Sequence, residues 1–227
     1  MLYIVATPIG NLKDITLRAL ETLQAVDAII CEDTRRTSLL LNHYQLKKPL
    51  ISMNDYNEIK ILNSLVERLK SGENLALVSD AGTPLISDPG YKLVRACLET
   101  GIEVDSIPGP SSVITALTLS GLPPDKFLFL GYLPEKPGHR KDTLQKIDIL
   151  NQKMPQTFII FVAPHKLIGT LREMKENFGD IEIVLAHELT KIHQSIKKKK
   201  ISVWLENLNP PAGGPKGEYV LLFRLNP

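Results

Sequence analysis

The first half of the chain alternates short apolar runs with longer segments of helical periodicity. Leu2–Ala6, Ala28–Cys31 and Leu75–Val78 are continuously apolar, and Val104–Ile107 is a further predicted strand. Leucines at helical spacing lie between these runs, as in residues 14–26. Strands that are apolar throughout are buried on both faces, and the intervening helices cover them. The pattern therefore predicts an α/β fold with a parallel sheet.

A second α/β segment follows a break rich in proline and glycine at Gly121–Asp125. Because the break ends the preceding helix, two domains are predicted, residues 1–122 and 123–227. The connections after the break are shorter and favour antiparallel pairing, which predicts a mixed sheet in the second domain. Its predicted elements are strands at Phe127–Leu130, Thr157–Val162, Ile181–Ala186 and Glu218–Leu225, helices around 138–150 and 167–178, and a polar hairpin-like stretch at 192–203.

Charge is distributed unevenly between the two halves. The 227 residues carry 27 Lys and Arg against 25 Asp and Glu, a formal net charge of +2, which excludes a strongly basic nucleic-acid coat protein. Residues 1–122 sum to −3 and residues 123–227 to +5. Either a polyanionic partner is drawn to the second half, or the difference is an uneven solvated surface. The Lys197–Lys200 run has the same two interpretations.

The cysteines indicate a reducing compartment. Cys31 and Cys97 each lie in an apolar segment, without a CxxC motif or a nearby histidine. We expect buried, reduced thiols and a cytoplasmic protein, and neither a disulfide scaffold nor a zinc site. No signal peptide and no membrane span are predicted, and the five histidines show no metal-ligand spacing, so no metal site is expected.

Three loops with unusual composition follow predicted strands, at the edge where open α/β sheets bind ligands. Pro8 stiffens the first loop, and Ser79–Gly90 forms the longest one. Ser111 or Ser112 starts a helix, where a hydroxyl and free N–H groups can meet a carboxylate or phosphate. Asp80 could accept hydrogen bonds from a ribose or an ammonium group. Alternatively, Ser79–Gly90 is simply two tight turns.

Other catalytic motifs do not occur in the sequence. It has no GxGxxG, no Gly-Lys-Ser/Thr and no GxSxG, which argues against a dinucleotide site, a P-loop and a hydrolase triad. A nucleotide hydrolase would need a pair of carboxylates to bind a metal, and the sequence offers only Asp80 and Asp88 on one loop. Arg35 and Arg36 suit phosphate contacts, with Asp33 to orient them, or they form an ion-pair cluster at a helix start.

Several long motifs occur in order along nearly the whole chain. They are Leu2–Leu12, Glu32–Arg36, Ala76–Gly90, Pro108–Ser112, Leu122-Pro123, Gly131–Pro134, Pro164–Leu167, Glu188–Lys191 and Lys216–Glu218. With these motifs the chain resembles the ribosomal RNA small subunit methyltransferase I family, of the tetrapyrrole methylase superfamily. Any one motif alone would be weak, and their order makes the resemblance specific.

The resemblance implies two α/β domains with S-adenosylmethionine in the cleft between them, and a homodimer. It also implies methyl transfer to the ribose 2′-hydroxyl of a cytidine in 16S ribosomal RNA, with the assembled 30S subunit as partner and no membrane. Carried over position by position, the cofactor contacts are Pro8, Asp80, Ala81, Gly82, Thr83, Pro84, Ser111, Ser112, Val162, Ala186 and Gly217.

For methyl transfer to a hydroxyl, Lys191 is the candidate base, because desolvation can lower the pKa of a lysine, and Glu188 could orient it. The chain departs from the family pattern at Val162-Ala163, where Tyr-Glu is usual, and at Gln194-Ser195, where acidic residues are usual. Two alternatives therefore stay open. One is a methyltransferase of the same superfamily with another substrate, and the other is a cofactor-binding homologue with reduced or lost catalysis.

Overall fold

Five parallel strands form the sheet of the first unit, Met1–Ser111, in a computed structural model that describes residues 1–208 and 214–225. Its elements are β1 (Leu2–Val5), a short 3-10 turn (Leu12–Asp14), α1 (Leu17–Ala25), β2 (Ala28–Cys31), α2 (Thr34–His43), β3 (Leu50–Ser52), α3 (Glu58–Lys70), β4 (Leu75–Leu77), α4 (Tyr91–Glu99) and β5 (Val104–Ile107). The strand order is β3-β2-β4-β1-β5, and every adjacent pair is parallel.

Helices cover both faces of this sheet, as the continuously apolar strands require. One hydrophobic cluster joins Ile30 and Leu77 to Leu65 of α3 and Leu93 of α4. The other cluster lies on the opposite face of the sheet, where Ile29 packs with side chains of α1 and α2. Because alternate residues of each strand point to opposite faces, each strand contributes to both clusters.

The second unit begins at Ser112 and contains a mixed sheet. Its elements are α5 (Ser112–Ser120), β6 (Phe127–Tyr132), α6 (Pro137–Lys153), β7 (Thr157–Val162), α7 (Pro164–Phe178), β8 (Glu182–His187), β9 (Ser195–Lys200), α8 (Ile201–Asn207) and β10 (Tyr219–Phe223). The strand order is β6-β7-β10-β8-β9, with β6 and β7 parallel and the other pairs antiparallel. The predicted class, a parallel sheet followed by a mixed one, is confirmed.

The last strand is inserted in the middle of the second sheet. β10 pairs with β7 on one side and β8 on the other, so that Tyr219 lies opposite both Val162 and His187. Phe223 stacks on Phe158 with ring centroids 5.3 Å apart, and neither side chain is exposed. Burial of two stacked aromatic rings makes this pair a major contributor to the core.

The structure divides the chain between Ser111 and Ser112, whereas the sequence suggested residues 122 and 123. Helix α5 packs against β8, β9 and β10, and it therefore belongs with the second unit. A proline and glycine break marks where a helix ends, but it does not reveal which sheet that helix covers.

Some predicted elements differ from the structure. The helix α2 begins at Thr34, inside the Glu32–Arg36 motif, and the short strand β3 is not predicted. The stretch 192–203 contains an edge strand that pairs with β8, and it then enters α8. Ile201 and Trp204 bury the inner side of α8, which is too short for its periodicity to stand out.

The predicted burial of Cys31 and Cys97 is confirmed, and both are free thiols. Burial raises the pKa of each thiol. Among the helices of residues 1–208 and 214–225, none has the length and apolar character needed to cross a bilayer.

Phe223→Ala is expected to lower the free energy of unfolding of the second unit by about 3–5 kcal/mol, because it leaves a cavity against Phe158. The single tryptophan, Trp204, lies in this unit, so its fluorescence during urea unfolding reports the loss. Phe127→Ala is the control, since Phe127 is 41% exposed, and its cost should stay within about 1 kcal/mol. Equal losses in the two variants would contradict the central role of the stacked pair.

Candidate functional site

The loops that follow β1, β4 and β5 are joined at the carboxyl edge of the first sheet. The Thr7 N–H donates to the Gly82 carbonyl at 2.8 Å, and the Gly82 N–H donates to the Thr7 carbonyl at 3.0 Å. The Thr83 hydroxyl donates to the Pro110 carbonyl at 3.1 Å. Because β4, β1 and β5 are parallel neighbours, their carboxyl ends lie side by side. We call the joined residues the loop rim: Thr7-Pro8, Ser79–Pro84 and Gly109-Pro110.

The backbone of the longest loop contains several unusual conformations. Gly82 has φ +84°, and a Cβ there would lie 3.2 Å from the Ile9 side chain. Leu85 and Ser87 have φ values of 72° and 67°, in the left-handed region that non-glycine residues rarely adopt. Such residues cost of order 1–3 kcal/mol each and persist where surrounding contacts fix them. This loop is therefore held by its neighbours and is more than two ordinary tight turns.

Asp80 faces the loop after β2. Its Oδ1 accepts the Asp33 N–H at 3.1 Å, and its Oδ2 lies 3.4 Å from Arg36 Nε. Asp33 caps α2 and pairs with the Arg35 guanidinium at 2.6 Å, and these Arg35 hydrogen bonds lower the pKa of Asp33 to about 2. The Arg35 and Arg36 side chains remain 87% and 61% exposed. Both arginines are therefore paired with carboxylates and still accessible to a partner.

Negative charge is concentrated beside the loop rim. The pKa of Asp88 is raised to about 6, mainly by burial and further by the nearby carboxylates of Glu32 and Asp80. A hydrogen bond from Ser79 acts in the opposite direction and offsets part of the rise. Burial also raises the pKa of Glu32, and nearby Asp80 and Asp55 raise it further. A raised pKa means that an additional negative charge there is unfavourable. In the part of the chain that the structure describes, no group of three or more His, Cys, Asp or Glu side chains could hold a metal ion.

In the second unit, the predicted residues Lys191 and Glu188 lie in one ionic cluster with Glu218. Lys191 Nζ donates to Glu188 Oε1 and to Glu218 Oε2, each at 2.9 Å. Glu188 Oε1 also accepts the Glu218 N–H at 2.9 Å, and the Glu188 N–H donates to the Glu218 carbonyl at 3.1 Å. We call His187–Lys191 together with Lys216–Glu218 the clasp.

The clasp depends on a residue without a side chain. Gly217 has φ +83°, and a Cβ there would lie 2.7 Å from both Glu188 Oε1 and His187 Nε2. His187 Nε2 is also within hydrogen-bond distance of the Lys216 carbonyl, at 2.8 Å, and its ring stacks on Tyr219. Glu188 itself has φ 51°, so the clasp combines close approach with backbone strain.

The expected lowering of the Lys191 pKa is wrong. Burial does lower it, but the hydrogen bonds to Glu188 and Glu218 outweigh burial, and the net pKa is raised. The hydrogen bond from Lys191 lowers the pKa of Glu188. Lys191 is therefore a cation held between two carboxylates, whereas a general base must be a neutral amine at the operating pH.

The other predicted contacts are spread over both units. Val162 ends β7 and lines a cavity of about 340 Å³ together with Tyr132, Phe161 and Arg140. Ala186 is buried in β8 and lies opposite Val220 of β10. The predicted serines fall at the division of the chain: Ser111 ends the first unit, and Ser112 begins the second as the first residue of α5.

Sequence reasoning missed the partners of the predicted residues. Glu218 lies 27 positions from Lys191 and reaches it only because β10 is inserted beside β8. The sequence places Glu32 in a motif but gives no sign that Glu32 lies near Asp88. The order of the strands in each sheet brings these residues together, and sequence spacing alone does not predict that order.

Comparisons with known proteins agree with this architecture. The family model described as Tetrapyrrole (Corrin/Porphyrin) Methylases matches residues 1–203. The chain is 48% identical over 228 residues to "Ribosomal RNA small subunit methyltransferase I" of Haemophilus influenzae, covering 100% of this chain and 79% of that protein. It is 48% identical over 201 residues to the protein of the same name from Thermotoga maritima, covering 88% of each chain.

Solved structures with low sequence identity share the fold. A diphthine synthase superposes with a TM-score of 0.75 at 15% identity, covering 99% of this chain and 89% of its own. Uroporphyrin-III-C-methyltransferase from Thermus thermophilus gives a TM-score of 0.65 at 18% identity, covering 97% of this chain and 93% of its own. At this level of identity the likeness concerns the arrangement of the chain alone.

Asp88→Asn is expected to raise the free energy of unfolding at pH 8 by about 1–2 kcal/mol. The folded-state pKa of Asp88 lies above its ordinary value, so ionisation costs stability. That cost is absent well below the ordinary pKa of 3.8, where the carboxyl group is protonated in both states. It grows between about pH 4 and pH 6 and stays constant at higher pH.

Urea unfolding followed by circular dichroism at pH 4 and pH 8 measures this difference. Glu21→Gln on α1 removes an exposed carboxylate from the same unit and should change neither value. A gain for Asp88→Asn that is equal at the two pH values would show that Asp88 is not under electrostatic stress.

Proposed function

The chain belongs to the tetrapyrrole methylases and, within them, to the ribosomal RNA small subunit methyltransferase I family, and from this we propose that it methylates the 2′-hydroxyl of a cytidine in 16S ribosomal RNA. The proposed methyl donor is S-adenosylmethionine, and the proposed substrate is the assembled 30S subunit. We further propose that the protein acts in the cytoplasm as a homodimer. The observation that carries the proposal is the loop rim, which joins three motif-bearing loops at the ligand-binding edge of the first sheet.

The residues of the loop rim fit such a donor chemically. S-adenosylmethionine carries a positive sulfonium, whose attached methyl group is transferred. The carboxylates of Asp80, Asp88 and Glu32 concentrate negative charge. Burial is the main cause of the raised pKa of Asp88 and Glu32, neighbouring carboxylates raise both further, and Arg36 offsets the effect on Glu32 only in part. A cationic ligand would relieve that repulsion. We assign cofactor contacts to Pro8, Asp80, Ala81, Gly82, Thr83, Pro84, Ser111, Ser112, Val162, Ala186 and Gly217.

Methyl transfer breaks the S–CH₃ bond, forms an O–CH₃ bond and releases the hydroxyl proton. The acceptor oxygen must approach in line with the breaking bond, so much of the rate comes from positioning. The hydrogen bonds of Thr7, Gly82 and Thr83 fix the loop rim before any ligand arrives, which lowers the ordering cost of binding. The rigid rim is the part of this chain that would supply such positioning.

The role of Lys191 in this proposal is that of a positioning residue. As a cation it joins the carboxylate of Glu188 to that of Glu218, and so it ties the Lys216–Glu218 segment to the end of β8. Gly217, a proposed cofactor contact, is the middle residue of that segment. The role of Glu188 is similar, since it accepts hydrogen bonds from the other two members of the cluster.

Arg35 and Arg36 are proposed to contact RNA phosphates. Arg35 uses Nε and Nη2 to bind Asp33, and both arginine side chains are largely exposed. Guanidinium groups bind phosphate through several N–H donors at once. The carboxylates of Asp33 and Asp80 would hold these two side chains in place until the phosphates arrive.

Incubation with methyl-labelled S-adenosylmethionine and 30S subunits tests the function. We expect label in the RNA, recovered as 2′-O-methylcytidine after digestion to nucleosides. Label on a base or on another nucleoside would contradict the assigned acceptor. Calorimetric cofactor binding without any transfer would instead favour the homologue with lost catalysis, the alternative raised by Val162 and Ala163.

Lys191→Met is expected to raise the KM for S-adenosylmethionine roughly tenfold with little change in kcat, because it removes a cation shared by two carboxylates. Lys191→Arg keeps the charge and should restore most of the loss. Steady-state kinetics across pH 6–10 measure both parameters. A large fall in kcat, together with loss of the alkaline rise in the parent's profile, would instead assign Lys191 as the base.

A further inference from the structure

Four consecutive lysines occupy the outer strand of the second sheet. Lys197–Lys200, which we call the lysine edge, forms most of β9, and β9 pairs only with β8 in the sheet order β6-β7-β10-β8-β9. One long side of β9 therefore faces away from the sheet. This strand is also part of the half of the chain that carries a net charge of +5.

The register places these lysines on both faces of the strand. Lys197 lies opposite Leu185 and Lys199 opposite Ile183, so these two share the side of the core residues. Lys198 and Lys200 point to the other side. A strand with charge on both faces contributes little to a hydrophobic core, and internal packing therefore does not explain the four lysines.

Two of the four lysines have partners within the protein. Lys198 forms an ion pair with Glu182 at 2.8 Å, and the Lys199 ammonium lies 5.2 Å from the centre of the Trp204 ring. Within residues 1–208 and 214–225, Lys197 and Lys200 form no ion pair. Lys200 does lie near Asp180, whose pKa is lowered mainly by hydrogen bonds from Ser202 and also by Lys175 and Lys200. The two Asp180 oxygens are already held by hydrogen bonds from Ser202.

The lysine edge begins beside the clasp. Ser195, the first residue of β9, lies opposite His187, the last residue of β8, and the chain between them contains Lys191. Since a strand rises about 3.3 Å per residue, Lys197–Lys200 spans about 10 Å leading away from that end. An extended polyanion that passes the clasp would have this row of ammonium groups along its path.

We infer that the lysine edge binds the phosphate backbone of the RNA whose nucleotide is methylated. The inference rests on the proposed function, and it goes further by assigning a docking surface that the predicted arginines do not include. Ammonium groups attract phosphates without reading sequence, which suits a surface that holds RNA in position. Lys197 and Lys200 form no ion pair with any residue that the structure describes and lie on opposite faces of this edge strand, so they present ammonium groups on either side of it. Their charge complementarity with a polyanion carries the argument.

A structural explanation competes with this one. Lysines on an edge strand prevent its unpaired backbone from joining a strand of another molecule. The two explanations make different predictions for variants without charge at these positions. Loss of RNA affinity supports docking, whereas self-association with normal RNA affinity supports edge protection.

The test compares Lys197→Gln/Lys200→Gln with the parent protein in binding to 30S subunits across a range of salt concentrations. We expect the slope of log affinity against log salt to fall by about 1.4, since each lost phosphate contact contributes about 0.7. At 0.1 M salt this is roughly a tenfold to thirtyfold loss of affinity. Calorimetric binding of S-adenosylhomocysteine should be unchanged.

Lys141→Gln/Lys153→Gln is the matched control, because it removes two exposed lysines from α6 in the same unit. We expect its salt slope to equal that of the parent. If the β9 variant keeps the parent's slope and affinity, or only self-associates in sedimentation, the inference is overturned while the proposed function stands. If the parent itself neither binds nor methylates 30S subunits, the proposed function fails and the inference fails with it.

Discussion

The pair of hydrogen bonds between Thr7 and Gly82 is the contact on which the candidate site depends. It joins the loop after β1 to the loop after β4, and the Thr83 hydroxyl extends the connection to Pro110 after β5. Gly82 permits this because its φ of +84° is one that other residues adopt only with strain. A site assembled from three loops would otherwise lose entropy on binding, and here much of that cost is met when the chain folds.

The two units differ in how they use charge. Beside the loop rim, Asp88 and Glu32 lie close enough to other carboxylates for burial and repulsion to raise their pKa values. In the clasp, the opposite arrangement places one ammonium between two carboxylates, and the pKa of Lys191 is raised because the charged form is favoured. The first arrangement favours a cationic ligand, and methyl transfer from a sulfonium removes that positive charge. Under the proposed function, the same negative field would favour the cationic donor over its neutral thioether product.

Periodicity and apolar runs were sufficient to predict the fold class, because strands such as Ala28–Cys31 are buried on both faces and have no other stable arrangement. They also located the Ser79–Gly90 loop, whose composition is unusual for a connection. They did not reveal that Glu218 meets Lys191, since the insertion of β10 between β7 and β8 follows from packing across the whole unit. The sign of the Lys191 pKa shift was missed for the same reason, because burial was predictable but the two carboxylate partners were not.

The uneven charge of the chain has a more specific meaning in the structure than in the sequence. The positive half carries more lysines, and four of them are consecutive on β9, the strand at the edge of the second sheet next to β8. A solvated run would serve equally well on a helix or loop. Edge protection alone would be satisfied by fewer charges, since even one inward-pointing lysine discourages pairing. The inferred polyanionic partner would account for both the excess and its position next to the clasp.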